Sequence, residues 1–128
     1  MLAANQIRCL LAILALTRME EEVASKNVAK LLGVTKPSVH KALEILVNKG
    51  LLEKAHYGSA KLTVTGLELA ERLEARQESL VLLFSQAFGL TMDESSAAAT
   101  LLMSELGEES LVKLENFKAN AVRQNRTL

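Results

Sequence analysis

Thr35, Lys36, Pro37, Ser38, His40 and Lys41 fall within seven consecutive residues. Apart from the proline, they carry hydroxyls, ammonium groups and an imidazole. Such groups exchange hydrogen bonds with base edges and neutralise phosphate oxygens. Lys26 precedes the run, and Lys54, Tyr57 and Lys61 follow it. Catalysis calls for other combinations. No paired acid and base carboxylates, no nucleophile beside a base and no phosphate-cradling glycine loop stand out, so an enzyme is not expected.

The flanking residues say how the run is held. Ser25 is expected to cap a helix ending near Gly33, a residue suited to the left-handed position after a helix. Val28, Leu31 and Leu32 supply the inner face of that helix. Thr35 can cap the next helix, and Pro37 sits in its first turn, where no backbone donor is lost. Val39, Ala42, Leu43 and Leu46 form the buried stripe. With that stripe inward, Pro37, Lys41, Glu44 and Asn48 face away, and Ser38 and His40 lie on the flanks. Gly50 stops the helix. Leu51–Ala55 and Ala60–Val64 read as short strands around the turn His56-Tyr57-Gly58-Ser59. Helix, tight turn, helix and hairpin is the order of a winged helix-turn-helix, which presents its second helix to the DNA major groove.

The rest of the chain reads as helix. Ala4–Thr17 carries Ile7, Leu10, Leu11 and Leu14 at helical spacing, with Ile13 and Leu16 adding apolar surface on another side. Met19–Ala24 is an acidic connector. Thr65 can cap a long helix running to about Phe88, which Gly89 ends. Thr91-Met92-Asp93-Glu94 fits a capping box before an alanine-rich helix. Gly107 breaks that helix, and a last one runs from about Glu109 to Val122, with fraying expected from Asn120 onward. The expected fold is mainly α with a small β wing. Residues 1–65 are expected to form the winged helix-turn-helix domain and 66–128 a helical dimerisation or regulatory domain.

Charge follows the same division. The net charge is zero, yet residues 23–62 hold seven lysines against two glutamates, a net of +5. From residue 71 onward six basic residues meet nine acidic ones, a net of −3. A basic segment joined to an acidic one suits a DNA-binding module attached to a helical domain. The single cysteine, Cys9, allows no intrachain disulfide and fits a reducing cytosol, so a cytoplasmic protein is expected. The apolar run from Cys9 to Leu16 is shorter than the ~20 residues needed to span a bilayer.

Asn27–Leu43 (NVAKLLGVTKPSVHKAL) resembles the winged-helix domain of the diphtheria-toxin-repressor-like DtxR/MntR regulators. Gly50-Leu51-Leu52-Glu53-Lys54, Tyr57 and Leu62-Thr63-Val64-Thr65-Gly66 look like that family's wing and its exit into the long helix. The similarity continues through Leu80–Leu90, and the short C-terminus looks like the MntR type. The resemblance implies a homodimeric transcription factor, a repressor, that binds palindromic operators with manganese or iron as corepressor. Ala97, Ala98, Leu101, Leu102 and Leu106 could pack helices closely across a two-fold axis.

The resemblance also implies metal ligands from the first helix, the long helix and the helix after it. Arg8 and Leu11 occupy the first-helix positions, Gln77 stands where a histidine is expected, and Thr100, Met103 and Ser104 occupy the remaining three. A hard cation needs carboxylates and imidazole. The usual site is therefore not expected to form, and no cofactor is expected. Two alternatives stay open. One is metal sensing through substituted ligands such as Glu78, Glu105, Cys9 or Met103. The other is a winged-helix protein-interaction module that has lost DNA binding.

Overall fold

The computed structural model describes residues 2–20, 22–55 and 58–127, with side chains described as far as residue 117. The elements are α1 (Ala4–Thr17), β1 (Val23–Ala24), α2 (Ser25–Leu32), α3 (Lys36–Asn48), β2 (Leu52–Lys54), β3 (Ser59–Leu62), α4 (Val64–Ala87), α5 (Met92–Glu105) and α6 (Glu108–Thr127). The fold is mainly α with a small antiparallel wing. It divides into two compact units, residues 2–73 and 74–128, the division falling inside α4.

The first unit is a helix-turn-helix closed by a sheet. Its core gathers Leu10, Ile13, Val28, Val39, Leu46 and Leu52 among others, drawn from α1, α2, α3 and β2. On α1, Ile7, Cys9, Leu10, Ala12, Ile13 and Leu14 are all buried, so this helix is covered on more than one side. The expected stripe Val39, Ala42, Leu43 and Leu46 is the buried face of α3. On α2 the inner face is Val28 and Ala29 instead, and Leu31, expected inside, is 55% exposed.

The wing has three strands, in the order β1-β3-β2, where two were expected. Val23 pairs with Ala60 and Ala24 with Ser59, so the end of the supposed connector is an edge strand. This also corrects the start of α2. Ala24 is still extended and holds the N-cap position, while Ser25 is already helical and buried, and no side chain caps the helix. Extended backbone fixed by pairing to β3 takes the place of a serine cap.

The exit from the wing holds a second correction. Thr63, not Thr65, caps α4. Its Oγ1 accepts from the Gly66 N–H at 2.9 Å and donates to the Gly50 carbonyl at 2.7 Å, and its own N–H donates to the Leu51 carbonyl at 3.1 Å. One threonine thus satisfies an orphan donor of α4 and fastens that helix to the end of α3.

In the second unit α4 ends at Ala87, and Gly89 adopts a left-handed φ of 69° in the turn that follows. The capping box forms as read. The Thr91 N–H donates to Glu94 Oε1 at 2.9 Å, and the Glu94 N–H donates to Thr91 Oγ1 at 3.1 Å. α6 continues to Thr127, beyond the expected end at Val122. Arg76 on α4 joins it through a two-pronged contact, NH1 and NH2 to the Glu108 carboxylate at 2.6 and 2.8 Å, with Nε to Glu115 at 2.7 Å. These carboxylates, Glu108 first, hold the guanidinium above its ordinary pKa.

Candidate nucleic-acid interface

Local geometry presents the run Thr35–Lys41 at the open end of α3. Gly33, at φ 66°, ends α2 in the left-handed region, and the Val34 N–H turns back to the Ala29 carbonyl at 3.1 Å. This six-to-one closure makes the sharp turn of the helix pair. Thr35 is extended, and its Oγ1 accepts from the Ser38 N–H at 3.4 Å. Pro37 occupies the first turn. The N-terminal turn of α3 therefore starts cleanly, and its remaining N–H groups and positive dipole end face outward.

Thr35, Lys36, Pro37, Ser38, His40 and Lys41 are all exposed, while Val39 between them is fully buried. The structure thus brings six of the ten candidates onto one helix end. Lys26 is exposed on α2, and Lys54 and Lys61 are exposed on the wing strands. Tyr57 lies outside the described residues, as does His56. Glu53 stands opposite Lys61 in the β2–β3 register, a cross-strand pair of opposite charge.

Between α3 and the wing lies an open groove of about 220 Å³, lined by His40, Glu44 and Val47 on the helix and by Lys54, Ala55 and Ala60 on the wing. Glu44 and Asn48 are exposed on the same outward side of α3. Sequence reasoning placed these two on the outward face but left them out of the candidate contacts. Their helical angle was the available signal.

A second polar cluster lies in residues 74–128. The Gln77 amide, half-buried on α4, donates to Ser96 Oγ at 3.4 Å and to Thr100 Oγ1 at 3.3 Å on α5. Thr100 is buried and passes its own proton to the Ser96 carbonyl at 3.0 Å. Met103 is buried, Ser104 is half-buried and its hydroxyl donates to the Leu101 carbonyl at 2.8 Å, and Ser95 Oγ is buried without a partner. Arg8 is exposed and Leu11 half-buried on α1. Among the described residues, no group of three or more His, Cys, Asp or Glu side chains is placed to hold a metal ion. Cys9 is buried, and burial raises its thiol pKa, which keeps it protonated.

On α5, Ala97 and Leu101 are exposed, the latter by 52%, while Ala98 and Leu102 are half-buried, as is Leu106 at its C-cap. No helix among the described residues is long and apolar enough to cross a membrane.

The family model described as the IclR helix-turn-helix domain matches residues 8–56. No protein of curated function matches the chain. Solved structures match over more of its length. IdeR of T. acidophilum is 21% identical with a TM-score of 0.66, covering 87% of this chain and 53% of its own. The hypothetical protein SSo2273 of Sulfolobus solfataricus is 22% identical with a TM-score of 0.65, covering 91% and 88%. The manganese regulator SloR is 23% identical with a TM-score of 0.77, covering 91% and 54%. The chain spans about half the length of IdeR and of SloR. These likenesses are ones of fold: residues 8–56 match a helix-turn-helix domain, and the chain shares its fold with about half of IdeR and of SloR.

Proposed function

We propose that this protein is a sequence-specific DNA-binding transcriptional regulator, a homodimeric repressor that reads a palindromic operator in the cytoplasm. The observation that carries the reading is α3 itself. One side of it is locked in the core through Val39, Ala42, Leu43 and Leu46, and the other presents Thr35, Lys36, Ser38, His40 and Lys41 beside a lysine-bearing wing. Hydroxyl and imidazole groups and the Lys41 ammonium would meet base edges, and the other lysines would meet phosphates. Lys26, Lys54, Tyr57 and Lys61 complete the contact set. Residues 1–65 serve as the DNA-binding domain and 66–128 as the dimerisation domain, pairing through Ala97, Ala98, Leu101, Leu102 and Leu106. The half-exposed Leu101 supports that pairing.

The same reading holds that DNA binding needs no transition metal. Gln77, Thr100 and Ser104 offer neutral amide and hydroxyl oxygens, Met103 a thioether, Leu11 nothing, and Arg8 a positive charge. This set does not fit Mn²⁺ or Fe²⁺, whose charge calls for carboxylates. The Gln77 amide instead spends its protons tying α4 to α5. Glu78 and Glu105 are exposed, and the protonated thiol of Cys9 is a poor ligand, so the substituted-ligand alternative draws little support.

The test is operator binding by the purified full chain, measured with chelator and with added Mn²⁺ or Fe²⁺. Equal affinity in all three is expected. A loss of tenfold or more in chelator that Mn²⁺ or Fe²⁺ reverses would establish metal dependence instead. No binding to any duplex at low salt would leave a winged-helix interaction module.

A further inference from the structure

We infer that Glu44 is a specificity-determining residue that reads the amino group of a cytosine in the major groove. This rests on the DNA-binding reading above and adds to it a carboxylate that the basic character of the surface would not suggest.

Residues 23–62 contain two acids only, Glu44 and Glu53. Glu53 stands opposite Lys61 in the register of the wing strands. Glu44 has Lys41 one turn before it on the same face of α3. It is exposed on α3, and among the described residues no cation lies within ion-pair distance of it. At ~100° per residue, Lys41, Glu44 and Asn48 fall within about 60° of one another, on the side opposite the buried Leu46. They rise along the helix by ~10 Å in all, the span of about three base steps at ~3.4 Å each. Glu44 also lines the open groove between α3 and the wing, where among the described residues no side chain pairs with it.

A bare carboxylate on a DNA-facing helix is repelled by phosphates, which makes it unfavourable for non-specific binding. It becomes favourable only against a hydrogen-bond donor. In the major groove the donors are the exocyclic amino groups of cytosine and adenine. A carboxylate, which only accepts, suits the cytosine N4 amino group, whereas adenine is best read by an amide that donates and accepts at once. Glu44 therefore contributes discrimination at one base pair per half-site while lowering affinity for random sequence.

The experiment selects duplexes from a randomised pool with the full chain, as wild type, Glu44→Gln and Glu44→Ala, at one salt concentration. Preferred sites are then re-measured with each base pair exchanged. Wild type should enrich cytosine at one position per half-site and lose about tenfold in affinity when that pair is changed. Glu44→Ala should flatten that position alone and bind random duplex slightly better. Glu44→Gln, nearly isosteric at an exposed site, should shift the same position toward adenine. If both variants keep the wild-type preference at every position, the inference is overturned and the DNA-binding reading stands. If the wild type retains no duplex at low salt, both are overturned.

Discussion

The Cα of Gly66 lies so close to the backbone of Leu51 that a methyl group there would land on the Leu51 carbonyl. Gly66 is in the first turn of α4, and its N–H is held by Thr63 Oγ1. The contact fixes where the long helix leaves the wing. Replacing a helical glycine with alanine ordinarily stabilises by up to ~1 kcal/mol. At Gly66 the sign should reverse, because the obstacle is main chain and has no rotamer to yield. Gly66→Ala should cost about 1–3 kcal/mol in denaturant unfolding. An unchanged or raised midpoint would mean that α4 can move off Leu51 freely.

Acid should unfasten the start of α5. Accepting the Thr91 N–H holds the Glu94 carboxyl below its ordinary pKa. A group whose folded pKa is depressed stabilises the fold fully above the unfolded carboxylate value, and that contribution is lost as pH falls through the folded one. Glutamine at this position keeps the reciprocal cap without titrating. Thermal unfolding from pH 7 down to pH 3 should therefore fall more steeply for wild type than for Glu94→Gln. Parallel curves would show that the cap adds nothing pH-dependent.

Much of the first unit was legible because its signals are local. Gly33, Thr35 and Pro37 each specify their own backbone conformation, and the spacing of Val39, Ala42, Leu43 and Leu46 follows from one helical period. Features that depend on pairing across the fold were not legible. Val23–Ala24 is too short to show a period and becomes a strand only by meeting Ala60 and Ser59. Thr63 and Thr65 are equivalent as residue types, and only the position of the Gly50 carbonyl selects Thr63. Leu31 matches the apolar spacing of α2 but falls off the narrow face that Val28 and Ala29 bury. At the candidate interface, residue type and helical angle identified the α3 face. The partners of Gln77 could not be read, because Ser96 and Thr100 reach it through tertiary packing.

Arg76 should be the main polar tie between α4 and α6. Its side chain is only 18% exposed and that of Glu115 28%, so water screens this pair less than a surface ion pair, whereas Glu108 is 74% exposed. Arg76→Gln cannot span both carboxylates. It should lower stability by about 1–2 kcal/mol, most of it through Glu115, and raise hydrogen exchange along α6. Glu108→Gln should cost less than half as much. Equal losses for the two variants would place the weight of the contact on the exposed carboxylate instead.

Lys41 gives the sharpest separation between positioning and reading on α3. It is exposed on the outward side of the helix, and its side chain can meet either a phosphate or a guanine edge. A phosphate contact releases about one counterion, so Lys41→Ala would weaken binding to all sequences alike and flatten the salt slope by about one per protomer engaged. A guanine contact would instead relax preference at one base pair while adding little sequence-independent loss. Lys41 stands in the second turn of α3, about two turns before its C-terminal end and beyond the capped first turn where N–H groups meet phosphates. Lys36, in that first turn, is better placed for the backbone. We expect Lys36→Ala to change the slope and Lys41→Ala to change the preferred sequence. Titrations of a selected operator and of random duplex at four salt concentrations would decide it. A uniform loss with a shallower slope for Lys41→Ala would reverse the two assignments.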